Sequence, residues 1–544
     1  MSSVLSTARS RTAFAVATLF AGLGITQPAF SDSVGGAPAK LGQVHFKVEC
    51  NAAAQKEFDL AMAYYHSFAW ELYTAPLDRA LRADPSCGMA HWLRALGVLD
   101  NPFTWPIPLS PKVLAEGQAA LETARATGLK SQRERDYVDA LAVFYKDHDK
   151  INHRTRAKAF EDAMAEVARR YPDDTEATIL YALVLSVNFD PGDKKYTNQL
   201  KAAAILEPIM MQQPQHPGVA HYLIHSYDYP PIAKQGLEAA KRYSKIAPDA
   251  SHALHMPSHI FSRVGHWHES IDANRASAEA AKSSIPNRVH AYDYLVYAHL
   301  QLGQDRAAAG VLADAQKIRQ TSDAFPSAYG FAAMPARYAL ERHAWKEAAN
   351  LVLSPAVDVY PWKKYPQAEA INAFARGIGA AYTENPAAAR VEAQRLQQLR
   401  ESAATMKLGY WVEQIDIQAE LVRGAATFAE GMRPEGIEIV RAAAVREDAS
   451  EKHAVTPGPL KPAREILGDL LMQSGKPADA LREYEAVIGK EPNRLGPTAG
   501  AARAAEKAGD ATKAGYYAKR VVALTATADT VRPDIAQAKR IAGI

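Results

Sequence analysis

ILGDLLMQSGKPADALREYEAVIGKEPNR, residues 466–494, carries the reading of the fold. Small residues stand at Gly468, Gly475 and Ala480, with Tyr484 and Pro492 behind them. Thirty-four residues further on, Ala502, Gly509, Ala514 and Ala518 occupy the corresponding places. Apolar residues between these landmarks recur every three or four positions, which describes amphipathic helices. Small side chains let two helices approach closely, glycine permits the tight turn between them, and proline stops the second helix.

A unit of 34 residues holding two helices is the tetratricopeptide period. Weaker copies extend it along the chain. Phe58 to Pro85 has the helix-turn-helix rhythm, and Phe160 to Pro172 reads as part of another unit. Val264-Gly265 and Leu302-Gly303 look like turns of further units. Amphipathic spacing also covers Ala336 to Leu353, Ala368 to Leu399 and Trp411 to Val445. No stretch alternates as a strand would. The expected fold class is all-α, a right-handed tetratricopeptide-like (TPR-like) solenoid of about ten to twelve helix pairs. The expected organisation is a leader at 1–31, N-terminal repeats at 32–159, central histidine-rich repeats at 160–330 and C-terminal repeats at 331–544.

At 544 residues the chain is too long for one compact core, which an extended solenoid avoids. Apolar residues make up 48% and the formal charge is +3, with no long Lys/Arg run, so nothing points to nucleic acid or an anionic membrane. The first residues read as a secretory signal: Arg9 and Arg11, the apolar stretch Ala13 to Ile25, and small residues around Ala29-Phe30-Ser31, with cleavage after Ser31. A retained anchor is the alternative. Ser10 separates the arginines, so the signal is not of the twin-arginine kind. A periplasmic or secreted protein with no membrane span after cleavage is expected. In an oxidising compartment the two cysteines, Cys50 and Cys87, point to a disulfide; two buried free thiols are the other option. The Pro- and aromatic-rich run at 101–108 cannot be helical throughout and is expected to form a loop on, or into, the groove.

The candidate site comes from the histidines. Ten of seventeen lie between His216 and His299. His221 and His225 are four apart, as are His255 and His259, and each pair is offset from the other by 34 residues. On a helix, an i, i+4 pair presents both imidazoles on one face. The first helices of adjacent repeats pack side by side, so the four rings should converge on one concave surface. That set suits a transition metal, with copper or zinc ahead of iron or nickel. The glutamate of a helical zinc-protease motif is absent, because Tyr222 follows His221. His252 shares the face of His255 and His259, although Pro257 must kink or begin a helix there. Aligning the two Gly-ended turns brings His290 and Asp293 in from the next repeat. Asp228 could orient an imidazole, and Arg263 could hold an anion or a salt bridge. His266 and His268, flanking Trp267, should lie outside the site, and Met256 should point away from His255.

The stretches Phe58-Asp59, His66-Ser67-Phe68 and Asp84 to Trp92 (DPSCGMAHW) resemble the opening repeat of a group of secreted bacterial tetratricopeptide-repeat proteins. HPGVAHYLIHSYDY, 216–229, and HALHMPSHIFSR, 252–263, resemble that group's central segment; together the likeness spans roughly 45–305. The resemblance implies the fold and export, and places His66, His91 and the cysteine pair in the group's pattern. It implies no particular activity.

Two functions compete. One is an exported solenoid with a histidine-rich transition-metal site, binding or catalytic, in its central groove. The other is a periplasmic interaction scaffold that holds a peptide or partner protein, with neither metal nor catalysis. A metal-dependent hydrolase would also need a carboxylate base, for which Asp228 and Asp293 are the nearby candidates.

Overall fold

The computed structural model describes residues 39–104, 109–318 and 322–544. The leader expected at 1–31, and residues 105–108 of the Pro- and aromatic-rich run, lie outside them. Lys40 to Ile544 forms one unit. Among the described residues the chain is all helical with no strand, and its helices follow one another as twelve antiparallel pairs and a final helix. None is long and apolar enough to cross a membrane.

Local chemistry accounts for the helix ends. Asn51, Ser110, Ser131, Asn152 and Asp174 each accept a backbone N–H in the first turn of the helix they precede. Pro111, Pro217 and Pro386 open helices where an N–H would be unpaired anyway. Gly265, Gly303, Gly475 and Gly509 make the turns read from the sequence, all left-handed with φ from 69° to 81°. In the quoted stretch, Ala463–Gln473 and Pro477–Lys490 form one pair, and Leu495–Lys507 and Ala511–Leu524 the next. The small residue at 468 answers to Tyr484: a Cβ on Gly468 would stand 2.8 Å from its ring.

The Cys50 and Cys87 sulfurs are at bonding distance, tying the start of Ala52–His66 to that of Gly88–Gly97. Two large apolar cores fill the solenoid, one from Leu41 to Phe261 and one from Val289 to Ala538. Each fully buried aliphatic or aromatic side chain in them contributes about 1.5–3 kcal/mol. The histidine-bearing helices lie at the seam between the two.

The superhelix is tight enough for distant repeats to touch. Ala52–His66 packs on Pro217–Tyr227, and Ile285–Gln301 packs on Leu495–Lys507. The Trp267 indole donates to the Asn493 carbonyl at 2.8 Å, and the Leu495 amide donates to Gln301 at 2.9 Å. The linker after Arg433–Ala449 crosses to the central helices, where the buried Arg337 binds Thr456 and the Gly458 carbonyl. A 34-residue period alone does not reveal these returns.

Candidate metal centre

The candidate imidazoles stand on three first helices: Pro217–Tyr227, the bent pair Ser251–His255 and Pro257–Val264, and Ile285–Gln301. Pro257 begins the second half of the bent pair, and Met256 keeps helical φ and ψ between the halves. His255 and His259 therefore remain one turn apart on the same face. Met256 is buried in the first apolar core.

The structure gathers the rings into two triads. His221, His225 and His252 form one; His255, His259 and His290 form the other, and in each the ligand nitrogens lie within 4.8 Å of one another. The two i, i+4 pairs thus do not make a single four-imidazole set; each takes a third member, His252 or His290, from the next helix or half-helix. The triads are neighbours: the His225 and His259 rings are 6.0 Å apart, and those of His252 and His255 are 6.2 Å apart.

Outer partners fix the rings. His221 Nδ1 donates to the His66 carbonyl at 2.7 Å. His259 Nδ1 donates to Asp228 at 2.9 Å. His255 Nδ1 donates at 2.6 Å to Asn274 Oδ1, whose own Nδ2 is turned away to donate to the Ser270 carbonyl. In these three rings Nδ1 holds the proton, so Nε2 carries a lone pair. His255 Nε2 and His259 Nε2 face each other at 3.0 Å. His221 Nε2 stands 3.1 Å from His252 Nε2, which is free to donate to it. His225 Nε2 is buried with no hydrogen-bond partner among the described residues.

Aromatic rings wall the first triad. Phe103 stacks on His225 at 3.7 Å, Phe68 lies 5.4 Å from His252, and Tyr243 is parallel to His221 at 5.1 Å. The run at 101–108 thus reaches the groove through Phe103, in a short 3-10 turn at Pro102–Thr104. Beside the second triad, the Tyr294 hydroxyl is 3.4 Å from His259 Nε2.

Burial drives the electrostatics. It pushes His221, His225, His252, His255 and His290 well below the usual histidine value, and neighbouring imidazoles add to the effect. Burial also lowers His259, against the pull of Asp228. Burial alone would raise Asp228, but Lys452, Arg263 and His259 hold it well below the carboxylate range. Asp228 Oδ1 accepts from Arg263 at 2.8 Å and Oδ2 from Lys452 at 3.0 Å. Burial thus favours the neutral form of all six imidazoles, the form in which histidine binds metal.

The remaining candidates have other duties. Arg263 is engaged in a salt bridge with Asp228 rather than open to an anion. Asp293 pairs with the fully buried Arg337 at 2.8 Å. Asp228 is engaged on both oxygens, whereas Asp293 holds Arg337 through Oδ1 and its buried Oδ2 has no hydrogen-bond partner among the described residues. His266 is partly exposed and His268 exposed, whereas Trp267 between them is buried.

A third cluster, His66, Glu176 and His216, has ligand-like spacing too. Its hydrogen bonds close without a metal. The Val219 amide donates to His216 Nδ1 at 3.3 Å, leaving Nε2–H to donate to Glu176 at 2.8 Å. The Tyr222 hydroxyl donates to His66 Nδ1 at 2.8 Å, leaving Nε2–H for the other Glu176 oxygen at 3.1 Å. This cluster locks Ala52–His66 against Pro217–Tyr227, and so sets the His66 carbonyl that orients His221. Sequence reasoning did not find Glu176, Asn274, Phe68, Tyr294 or Lys452. Lys452 is 224 positions from the aspartate it pairs with, and only the superhelical return brings them together.

No protein-family model matches the chain, and no curated protein does. Similar solved structures include a Naa15/Naa10 complex bound to HypK-THB, at 12% identity and TM-score 0.25, covering 90% of this chain and 72% of that one. The P58(IPK) TPR domain follows at 14% and 0.23, covering 78% and 99%. A monomeric IFIT1 mutant with Gppp-AAAA stands at 13% and 0.36, covering 88% and 98%. What the site does is read from its own residues.

Proposed function

We propose that this chain is an exported tetratricopeptide-type solenoid whose central groove binds transition metal on the two histidine triads. One observation carries the reading. His255 and His259 each commit Nδ1–H to a fixed acceptor, yet their Nε2 lone pairs face each other at 3.0 Å in a buried place. Two acceptors at that distance repel unless a cation lies between them. A shared proton would add a positive charge to a buried place where Asp228 already faces Lys452 and Arg263. A metal at about 2.0–2.1 Å from each nitrogen satisfies both. The carboxylate, amide and carbonyl partners on the far nitrogens are what metal-bound histidines generally have.

Export to the periplasm or beyond belongs to this reading, supported by the leader-like residues 1–31 and the Cys50–Cys87 pair. The test is elemental analysis of full-length protein purified without a histidine tag. Stoichiometric copper or zinc is expected, falling in His255→Ala and His225→Ala while circular dichroism keeps its helical signal. Wild-type protein that holds no metal after dialysis against copper and zinc would sink the proposal and leave the peptide-binding scaffold.

A further inference from the structure

We infer that the two triads act as one dinuclear copper centre, held as copper(I) at rest, whose ligand is dioxygen bridging the two metals. This rests on the metal reading above and adds the number of ions, their identity and the ligand class. Three observations carry it.

The first is proximity. The triads share a wall, with rings of one 6.0 and 6.2 Å from rings of the other. Ions bound at about 2.0–2.1 Å from the nitrogens of each triad would be close neighbours, the arrangement of a two-metal site that shares one small ligand.

The second is charge. All six donors are imidazoles, which bring no negative charge to a bound ion. Asp228, the carboxylate that contacts a triad, is already shared by two buried cations, Arg263 and Lys452. Two divalent ions would bring four positive charges into this buried and already cationic setting, where charge is costly. Two copper(I) ions bring half of that, and imidazole suits copper.

The third is the wall itself. Phe103 stacks on His225 with ring centres 3.7 Å apart, and Phe68 lies near-parallel to His252 at 5.4 Å. This apolar wall on the first triad disfavours a strongly hydrated ligand and suits an apolar diatomic. The electron count closes: each copper(I) gives one electron and becomes copper(II), and dioxygen takes up both as a bridging dianion. No proton or further reductant is needed. The dianion then offsets two of the four positive charges.

The experiment loads untagged full-length protein with copper(I) without air, measures copper per chain, then admits air and records the absorption and electron paramagnetic resonance spectra. Expected are two coppers per chain, a new visible or near-ultraviolet charge-transfer band, and a copper(II) resonance integrating to far less than the copper present, because bridged ions couple. His252→Ala and His290→Ala, both at partly exposed positions, should each leave one copper per chain, which after oxidation gives a full-intensity signal. Two coppers with full resonance intensity in the wild type, one copper per chain, or no spectral response to air overturns this inference and leaves the metal reading standing. Uptake of zinc without copper likewise overturns this inference alone; protein that takes up neither copper nor zinc overturns both.

Discussion

Replacing Asp228 by asparagine probes how the centre is held. The carboxylate accepts from His259 Nδ1 at 2.9 Å, Arg263 Nε at 2.8 Å and Lys452 Nζ at 3.0 Å, in a setting with 8% exposure or less at each side chain. An asparagine keeps the shape but can accept on one atom only, and it cancels neither cation. Leaving a buried charge without its partner costs about 3–5 kcal/mol, so Asp228→Asn should lose about that much in urea unfolding of the apo protein. His259 loses its orienting carboxylate as well. Removing such a partner weakens metal binding about 10- to 100-fold, readable by competition with a chromogenic chelator. The two effects separate in a second variant. Asp228→Asn with Lys452→Met removes one orphaned cation and should recover at least about 1 kcal/mol of stability while metal affinity stays low. Apo Asp228→Asn unfolding within about 0.5 kcal/mol of wild type would refute the buried ionic shell, and unchanged metal affinity would refute the orienting role.

Three further outcomes follow from other parts of the chain. Burial raises the Glu447 carboxyl from 4.5 to about 7, so the folded state holds a proton that the unfolded chain releases. Its contribution is complete below about pH 4.5 and is lost as pH rises through 7; the span is at most about 3 kcal/mol, and Glu447→Gln should flatten that part of a stability-against-pH curve. Gly468→Ala should destabilise by about 1–3 kcal/mol despite the better helix former, because its Cβ would meet the Tyr484 ring at 2.8 Å; a gain in thermal melting would contradict that packing. Cys50→Ser, which opens a cross-link of sequence separation 37, should cost about 3–4 kcal/mol in denaturant unfolding under oxidising conditions and nothing after reduction of both proteins.

The fold was legible because its signal is local. Gly475, Gly509, Gly265 and Gly303 stand where a left-handed turn is needed, and proline and polar caps mark helix starts, so each helix pair announces itself within its own residues. The histidine register was legible for the same reason: an i, i+4 pair and its 34-residue echo are facts about one helix and its neighbour. The same reasoning misjudged how the rings would group. It set the pairs side by side as four, with His252 and His290 as further groove residues; the structure gives each pair one of those two as a third ring and makes two triads.

The chain by itself therefore determined the helix-pair solenoid and the helix faces that carry imidazoles, since both follow from periodicities shorter than one repeat. Only the tertiary structure decided which nitrogens hold protons. That choice depends on the His66 carbonyl, Asn274 and Asp228, and on Lys452 arriving from more than 200 residues away. Tautomer and charge are set by whatever lies at hydrogen-bond distance in space. In a superhelix that returns on itself, the groups at that distance are not neighbours along the chain.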